Sequence, residues 1–185
     1  VTTGIETLRA KAAAWVADAR ANPLFVRGLI GAVAVAILDQ ASKFWIVAIV
    51  DLPVKRRIEI SPIFDLTYVQ NRGASFGMLA GGIASRVLLS TISIVIATIM
   101  VVWLGRLKRR FAAAGAALII GGAIGNLYDR VSYGYVVDFL DFSGLMFPWV
   151  FNVADAAINV GFACLVLDAL LHGDRAAPKA PGAGP

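Results

Sequence analysis

The sequence predicts an all-α membrane protein with four transmembrane helices, and three observations lead to this fold class. Hydrophobic residues make up 59% of the 185 residues and charged residues only 16%, with a mean hydropathy of +0.78. Soluble domains are about 45–50% apolar and about 25% charged. Several apolar stretches have membrane-spanning length, and basic residues flank them. This composition excludes an intrinsically disordered chain, a collagen-like repeat and a disulfide scaffold.

Residues 1–23 predict an amphipathic helix that lies on the membrane surface. Its apolar side chains recur at helical spacing, at Ile5, Leu8, Ala12, Trp15, Val16 and Ala19. Basic residues between them would attract anionic headgroups. Thr3 and Glu6 have the spacing of a capping box, and Asn22-Pro23 ends the pattern. A mobile tail is the alternative interpretation of this segment.

Four stretches are long enough to cross a hydrocarbon layer of about 30 Å at about 1.5 Å per residue. They are residues 24–50, 87–104, 111–127 and 153–171. The first carries Asp39 and Lys43, which the apolar core of a cleaved signal peptide would not contain. The third carries Gly121 and Gly125, a GxxxG pattern that we interpret as close packing within the chain rather than dimerisation.

An even number of spans places both termini on the same side of the membrane. That side would hold ten basic residues, namely Arg9, Lys11, Arg20, Arg27, Arg106, Lys108, Arg109, Arg110, Arg175 and Lys179. The other side would hold six, namely Lys55, Arg56, Arg57, Arg72, Arg86 and Arg130. The positive-inside rule therefore predicts cytoplasmic termini, with residues 51–86 and 128–152 outside. The membrane domain, residues 24–171, is followed by a cytoplasmic tail, residues 172–185, whose Pro, Gly and Ala content predicts disorder.

The first outer region contains a predicted strand or two. Residues 63–69 combine β-branched and aromatic side chains with partial alternation. Asn71-Arg72-Gly73 is a turn signal directly after them. Such a segment can lie on the bilayer surface beside the helix ends.

Net charge and cysteine content limit the possible partners. The chain carries 17 basic and 12 acidic residues, a net charge of +5, and many of its basic residues flank apolar stretches. We therefore interpret them as topology signals and expect no nucleic-acid partner. One cysteine, Cys164, allows no internal disulfide, and one histidine, His172, is too few for a zinc site. We expect no metal and no cofactor.

Acidic residues at membrane depth are the first candidates for function. Each costs about 2.5–3.5 kcal/mol at a helix centre, and such residues mark functional sites by default. Five of them fall in or near the outer ends of the spans: Asp39, Asp129, Asp138, Asp141 and Asp155. Asp141 lies in the most polar setting of the five, and we interpret it as solvated or structural.

Two of these acids have a basic residue close by in the sequence. Asp39 and Lys43 are four residues apart on one helix, so they form an internal ion pair or orient a site residue. Asp129 and Arg130 form a structural pairing, with each other or across helices, or Arg130 holds a lipid headgroup or a substrate carbonyl. Asn126, one turn earlier, can hydrogen-bond across helices.

The remaining two acids, Asp138 and Asp155, predict a catalytic pair. With Asn152 as N-cap, Asp155 lies in the first turn of a helix, where the dipole favours its charge; capping alone would also explain it. Asp138 lies in the apolar stretch 135–139 and needs a polar partner there. If the two meet at the outer membrane surface, one pKa rises. One carboxylate then deprotonates water while the other protonates a carbonyl or leaving amine. Our hypothesis keeps Asp155 ionised and gives Asp138 the shared proton.

Five blocks of the sequence resemble, in order, the signature blocks of the lipoprotein signal peptidase family, also called type II signal peptidases. They are Asp39-Gln40-Ala41-Ser42-Lys43, Asn71-Arg72-Gly73-Ala74-Ser75-Phe76-Gly77, Gly121-Gly122-Ala123-Ile124-Gly125-Asn126-Leu127-Tyr128-Asp129-Arg130, Val136-Val137-Asp138-Phe139 and Phe151-Asn152-Val153-Ala154-Asp155. Each block alone is a weak signal, whereas five in the right order at plausible spacing are highly specific. The resemblance extends from the first span to the fourth and leaves out residues 1–23 and the tail. One departure is Ser75, where the family often has alanine.

The resemblance implies a bacterial inner-membrane aspartic endopeptidase with four spans, a small extracytoplasmic β-platform and an amphipathic segment over the site. Such enzymes cleave the signal peptide from prolipoproteins immediately before a cysteine that carries diacylglycerol, and globomycin inhibits them. The partners implied are therefore diacylglyceryl prolipoproteins and membrane lipid. We expect the protein to be a monomer.

The resemblance also assigns roles to individual residues. Asp138 and Asp155 match the catalytic pair, and Asp39 and Lys43 match the first-span pair. Positions that line or brace the site are matched by Asn71, Gly73, Asn126, Asp129, Arg130, Asn152 and Ala154. Among them, Asn71 and Arg130 are expected to contact substrate or inhibitor.

Three other functions stay open from the sequence alone. A Ser/Lys peptidase would pair Lys43 with a serine; Ser42 points about 100° away on the helix, but Lys43 could reach Ser75. An ion or proton transporter also uses membrane acids, although the second and third spans are uncharged and the acids gather mostly at one face. A non-enzymatic scaffold would tolerate a change of either carboxylate. Full activity of an Asp138→Asn variant, or ion flux in proteoliposomes without cleavage, would favour these alternatives.

Overall fold

The computed structural model describes residues 2–73 and 82–172 of the chain. Within these ranges the chain forms six α-helices: α1 (Thr2–Ala21), α2 (Pro23–Phe44), α3 (Leu52–Lys55), α4 (Ile83–Leu104), α5 (Arg110–Ser132) and α6 (Val153–His172). It also forms four strands: β1 (Arg57–Ser61), β2 (Phe64–Asn71), β3 (Val136–Asp141) and β4 (Val150–Phe151). A π-helical turn, Trp45–Ile49, extends α2, and a 3₁₀ turn, Ser143–Leu145, lies between β3 and β4. Ser75 and nearly all of the predicted tail lie outside the described residues.

Four helices in the described part of the chain are long and apolar enough to cross a membrane, which is the predicted fold class. They are Pro23–Ile49, Ile83–Leu104, Arg110–Ser132 and Val153–His172. α4 begins before residue 87 and α5 continues beyond residue 127. Hydropathy marks only the part of a helix that suits hydrocarbon, whereas the backbone hydrogen bonds continue through the polar residues at its ends. Large apolar side chains of α2, α4 and α6 are exposed, as contact with lipid requires.

α5 is the central helix of the bundle and packs against α2, α4 and α6. Of its apolar window, 67% is buried, against 11–17% in the other three spans. Small residues permit this packing. A methyl group on Gly121 would lie 2.6 Å from the carbonyl oxygen of Ala32, and one on Gly125 would lie 2.5 Å from Asp39 Oδ2. The GxxxG pattern therefore brings α5 close to α2 within the chain.

Replacing Gly121 by alanine is expected to lower the free energy of unfolding by about 1–3 kcal/mol, the usual cost of overpacking. The added methyl would meet Ala32 O and Val35 Cβ, both at 2.6 Å. Gly31→Ala is the matched control on the facing helix, because its methyl would lie 3.6 Å from Ala117 Cβ, an ordinary contact. Thermal unfolding in one detergent compares the two variants. An equal loss in both would contradict close packing at Gly121.

The N-terminal segment forms a helix, α1, that docks on the connection between α4 and α5. Trp15 Nε1 donates a hydrogen bond to Val102 O at 3.3 Å. The Asn22 amide donates to Gly105 O at 3.2 Å and to Leu107 O at 2.9 Å, and the same asparagine caps α2. Ile5, Leu8 and Val16 of α1 are exposed, whereas Ala19 is buried; the position of α1 on the membrane surface stays a prediction.

The four strands form one antiparallel sheet in the order β1-β2-β3-β4. β2 includes residues 64–69 of the predicted strand and continues to Asn71. β3, by contrast, coincides with a segment that the sequence analysis treats only as apolar. Residues 136–139 are all buried, because β3 is an interior strand covered on both faces. The alternation that signals a strand is therefore missing from its sequence.

A hydrophobic cluster joins the sheet to the bundle. Its buried members are Ile46, Leu52, Leu66, Tyr68, Val137 and Phe139. Fully burying one such aliphatic or aromatic side chain contributes about 1.5–3 kcal/mol. The cluster holds β3 against the end of α2, so that polar side chains of β3 lie beside the start of α6.

Candidate active site

Asp138 lies on the interior strand β3 and is 1% exposed. It is in register with Val69 of β2, so Asn71, two residues further along β2, lies on the same face of the sheet. The Asn71 amide donates to Asp138 Oδ2 at 2.9 Å, and the Asn152 amide donates to Asp138 Oδ1 at 2.6 Å. Both oxygens of this predicted catalytic carboxyl therefore accept a hydrogen bond.

The surroundings of Asp138 favour its protonated form. Burial, followed by the negative charge of Asp155, raises the pKa of Asp138 to about 7. The hydrogen bonds from Asn71 and Asn152 act in the opposite direction and do not outweigh burial. Near neutral pH the carboxyl of Asp138 is therefore present in both protonation states, which suits a general acid.

Asp155 lies in the first turn of α6, and Asn152 caps that helix, the arrangement that the sequence predicts. The backbone N–H of Asp155 donates to Asn152 Oδ1 at 2.9 Å, and the backbone N–H of Asn152 donates to Asp155 Oδ2 at 3.3 Å. This reciprocal pair has the geometry of a capping box. The Asn126 amide donates to Asp155 Oδ1 at 2.7 Å. The helix dipole stabilises negative charge at this position.

Asn126 and Asn152 connect the two carboxyl groups. Asn152 Nδ2 contacts Asp138 Oδ1 at 2.6 Å and Asn126 Oδ1 at 3.2 Å. Asn126 Nδ2 in turn contacts Asp155 Oδ1. A continuous hydrogen-bonded path thus runs from Asp138 through two amides to Asp155. Two acids from different elements, one on a strand and one on a helix, belong to one polar network.

Lys43 lies between two carboxylates, in a group that we call the lysine cluster (Asp39, Lys43 and Asp129). Lys43 Nζ is 2.8 Å from Asp39 Oδ2 and 2.8 Å from Asp129 Oδ2, and all three side chains are buried. Nζ also donates to Asn126 Oδ1 at 3.3 Å. These contacts match the number of N–H donors of an ammonium group. The predicted pair within α2 is present, and Asp129 pairs across helices rather than with Arg130.

The lysine cluster also holds the backbone just before each predicted catalytic residue. The N–H of Val137 donates to Asp129 Oδ2 at 3.1 Å, and the N–H of Ala154 donates to Asp39 Oδ1 at 2.9 Å. Each of these N–H groups precedes one of the two acids by a single residue. The cluster therefore ties together α2, α5, β3 and α6.

The structure adds one side chain that sequence reasoning missed and settles the surroundings of a second. Gln40 is missed, although its amide donates to Asp129 Oδ1 at 2.8 Å; its place between Asp39 and Lys43 is the signal that could have identified it. Asp141, interpreted from the sequence as solvated or structural, is buried, and it accepts from Thr67 Oγ1 at 2.7 Å and from the Ser143 N–H at 2.9 Å. It is structural, and within the described residues it forms no hydrogen bond with Asp138 or Asp155.

A cleft of about 400 Å³ opens onto Asp138 between β2 and the segment before β4. Its walls include Asn71, Arg72 and Trp149. Asn71 Oδ1 accepts from the Gly73 N–H at 2.9 Å, and Gly73 has a φ of +82°. The predicted turn is therefore formed with glycine in a backbone conformation that other residues rarely adopt.

Arg130 lies in the last turn of α5 and is half-buried. Its Nη1 donates to Asn126 O at 3.4 Å, and its charge is within electrostatic range of Asp155, Asp138 and Asp129. Within residues 2–73 and 82–172 it forms no ion pair. A guanidinium in this position can bind a carbonyl or an anionic group that enters the site.

Comparison with known proteins identifies relatives of this chain. The family model described as Signal peptidase (SPase) II matches residues 31–171. The lipoprotein signal peptidase of Caulobacter vibrioides is 48% identical over 136 residues, covering 73% of this chain and 81% of that protein. The lipoprotein signal peptidase of Rhodopseudomonas palustris is 38% identical over 160 residues, covering 83% and 96% respectively. A solved structure described as a bacterial membrane enzyme matches with a TM-score of 0.70 at 27% identity, covering 84% of this chain and 94% of that chain.

Proposed function

The chain belongs to the signal peptidase II family, and we propose that it removes the signal peptide from diacylglyceryl-modified prolipoproteins by aspartic catalysis. Cleavage would occur immediately before the lipidated cysteine. The observation that supports this mechanism most directly is the hydrogen-bonded path from Asp138 through Asn152 and Asn126 to Asp155. Asp138, at one end of this path, also lines an open cleft.

The location of the site suits a lipidated substrate. Asp155 lies where α6 begins, and Asp129 lies near the end of α5, so both are at one end of the bundle. The acyl chains of a lipidated cysteine stay in the bilayer, and the adjacent peptide bond then lies at the membrane surface. Binding of the lipid therefore helps to position the peptide bond. In our proposal this end is extracytoplasmic and both termini are cytoplasmic, in line with the positive-inside rule.

In the proposed reaction Asp155 is the general base and Asp138 is the general acid. Asp155 takes a proton from water as the water oxygen attacks the carbonyl carbon, while Asp138 donates its proton to the carbonyl oxygen. Asp155 then gives its proton to the leaving nitrogen, and the C–N bond breaks. One hydroxyl of the tetrahedral diol returns a proton to Asp138, so both carboxyls regain their starting states.

Neighbouring residues would position these groups. Asn126 and Asn152 orient the two carboxyls through the contacts described above, and we assign them as positioning residues. Asn71 and Arg130 are the proposed substrate contacts, because both border the carboxyls and each retains donor groups. Arg130 would hold the substrate carbonyl or the oxygen atoms of the diacylglyceryl group.

The lysine cluster argues against a Ser/Lys peptidase. A lysine base must face its serine nucleophile, but Lys43 Nζ contacts the buried carboxylates of Asp39 and Asp129 at 2.8 Å each. Ser42 Oγ donates to the backbone oxygen of Asp39 at 2.7 Å instead of facing the ammonium. Ser75, the other candidate nucleophile, lies outside the described residues.

The direct test of this function is cleavage of a purified diacylated prolipoprotein by the purified protein in detergent. We expect a product that begins with the lipidated cysteine, identified by mass spectrometry. The same prolipoprotein without diacylglycerol is the control and should be cleaved at least about 10²-fold more slowly, because its scissile bond is not held at the membrane surface. Equal cleavage of both forms would contradict the proposed substrate class.

The rate should also depend on pH through Asp138. With a pKa raised to about 7, Asp138 holds its proton below that pH and loses it above, so kcat/KM is expected to fall as the pH rises through about 7. Thermal unfolding at each pH serves as the control for loss of fold. A rate that keeps rising above about pH 8 would contradict Asp138 as the acid.

A further inference from the structure

A groove between α2 and α5 lies away from the candidate active site, near the ends at which both helices begin. It encloses about 490 Å³, and one face of each helix forms its walls. Gly28 and Gly31 of α2 and Ala114 and Ala117 of α5 are among the residues that line it. Small side chains on both walls leave room for an apolar chain beside the helices.

The length of the groove matches one leaflet of a bilayer. From Leu24 to Val35, which both line it, the helix rises about 16 Å at about 1.5 Å per residue. The hydrocarbon core of a bilayer is about 30 Å thick, so one leaflet accounts for about 15 Å. The groove therefore has the depth that one acyl chain occupies.

Two arginines lie at the end of this groove where α2 and α5 begin, one on each wall. Arg27 is near the start of α2, and Arg110 is the first residue of α5. Both are exposed, and within the described ranges neither guanidinium has a hydrogen bond or an ion pair. The adjacent Arg109, by contrast, pairs with Asp168 at 2.7 Å. No carboxylate lines the groove in the part of the chain that the structure describes.

We infer that this groove binds one anionic phospholipid, with its phosphate between Arg27 and Arg110 and one acyl chain along α2 and α5. Guanidinium groups bind phosphate oxygens in bidentate geometry, and the positive ends of both helix dipoles add to the attraction. A signal peptide is a poorer occupant, because the positive charge that such peptides carry at their N-terminal end would meet two arginines. The inference does not depend on peptidase activity.

The test uses the full-length protein, purified in detergent and freed of lipid, then titrated with dioleoylphosphatidylglycerol or dioleoylphosphatidylcholine. Native mass spectrometry counts the bound lipids. We expect one phosphatidylglycerol to bind at least about tenfold more tightly than phosphatidylcholine, because each arginine near the headgroups adds to the attraction. Equal affinity of the wild-type protein for the two lipids would overturn the proposal without any variant.

Two pairs of variants locate the site. Arg27→Gln/Arg110→Gln should remove the preference for phosphatidylglycerol, whereas Arg20→Gln/Arg106→Gln, which deletes the same charge from residues outside the groove, should keep it. An equal loss in both would show general surface attraction and overturn the site.

The second pair tests the acyl chain. Ala114 is exposed within the groove, so Ala114→Phe should fill it and weaken phosphatidylglycerol binding by about tenfold. Ala163→Phe places the same bulk on an exposed position of α6 and should not. Unchanged binding in Ala114→Phe would overturn the proposed position of the chain. Thermal unfolding of each variant confirms that it is folded.

Discussion

Asp138→Asn and Asp155→Asn are each expected to lower kcat/KM on diacylated prolipoprotein by about 10²–10⁴-fold, the usual contribution of a general acid or base. Asparagine keeps the volume of aspartate but can neither take a proton from water nor donate one to a carbonyl oxygen. Because each step of the proposed reaction uses both carboxyls, the double variant should be no slower than the slower single variant. Initial rates of product formation at about pH 7 measure all three.

Asp141→Asn is the matched control for these variants. Asp141 ends the same strand as Asp138 and is also buried. Burial tends to raise its pKa, but hydrogen bonds from Thr67 and Ser143 outweigh burial and lower the pKa. Its replacement should therefore cost stability and leave the rate of the folded protein unchanged. A folded Asp138→Asn or Asp155→Asn variant that retains more than about a tenth of the wild-type rate would exclude the aspartic mechanism.

Lys43→Met is expected to cause the largest loss of stability, about 3–5 kcal/mol in the free energy of unfolding. Removing the ammonium leaves Asp39 and Asp129 buried with no cation between them, and two such carboxylates repel each other. Asp129 and Asp39, which accept hydrogen bonds from the N–H groups of Val137 and Ala154, are then no longer held in place by the ammonium group. The thermal unfolding midpoint in one detergent measures the loss of stability. The rate of proteolysis of the folded fraction is a second, independent measure of the same loss.

A second variant and a control make this prediction specific to the charges. Lys43→Met/Asp39→Asn should be less destabilised than Lys43→Met, because it removes one of the two uncompensated charges and keeps an oxygen for the Ala154 N–H. Lys55→Met removes an exposed lysine that donates to Val50 O and should change the midpoint little. If the double variant lost the full sum of the single effects, charge compensation would not explain the role of Lys43.

Much of the fold could be predicted because a membrane-spanning segment must be apolar, and apolar segments are recognisable from composition alone. Four long apolar segments have few ways to satisfy their backbone groups in lipid other than as helices. Local rules also worked: the spacing of Asn152 and Asp155 predicts an N-cap with Asp155 in the first turn, and the four-residue spacing of Asp39 and Lys43 predicts their ion pair.

Other features could not be predicted because they depend on contacts between distant segments. β3 is covered on both faces, so it has no alternation. Asp129 is adjacent to Arg130 in the sequence, but a helix directs neighbouring side chains about 100° apart, and its partner is on another helix. The ion pair between exposed Arg109 and buried Asp168 at the other end of the bundle likewise joins residues that no local pattern connects.

The hydrogen bonds from Val137 and Ala154 to the lysine cluster bear on how substrate preference can diverge within such enzymes. The strand and the helix that carry the two acids are each held by a main-chain group one residue before the acid, at Val137 and Ala154. Cleft positions such as Gln70 and Trp149 can therefore change with the peptide to be recognised while the reacting groups stay in place. Substitutions in the lysine cluster have no such freedom, and inhibitor resistance should arise along the cleft walls.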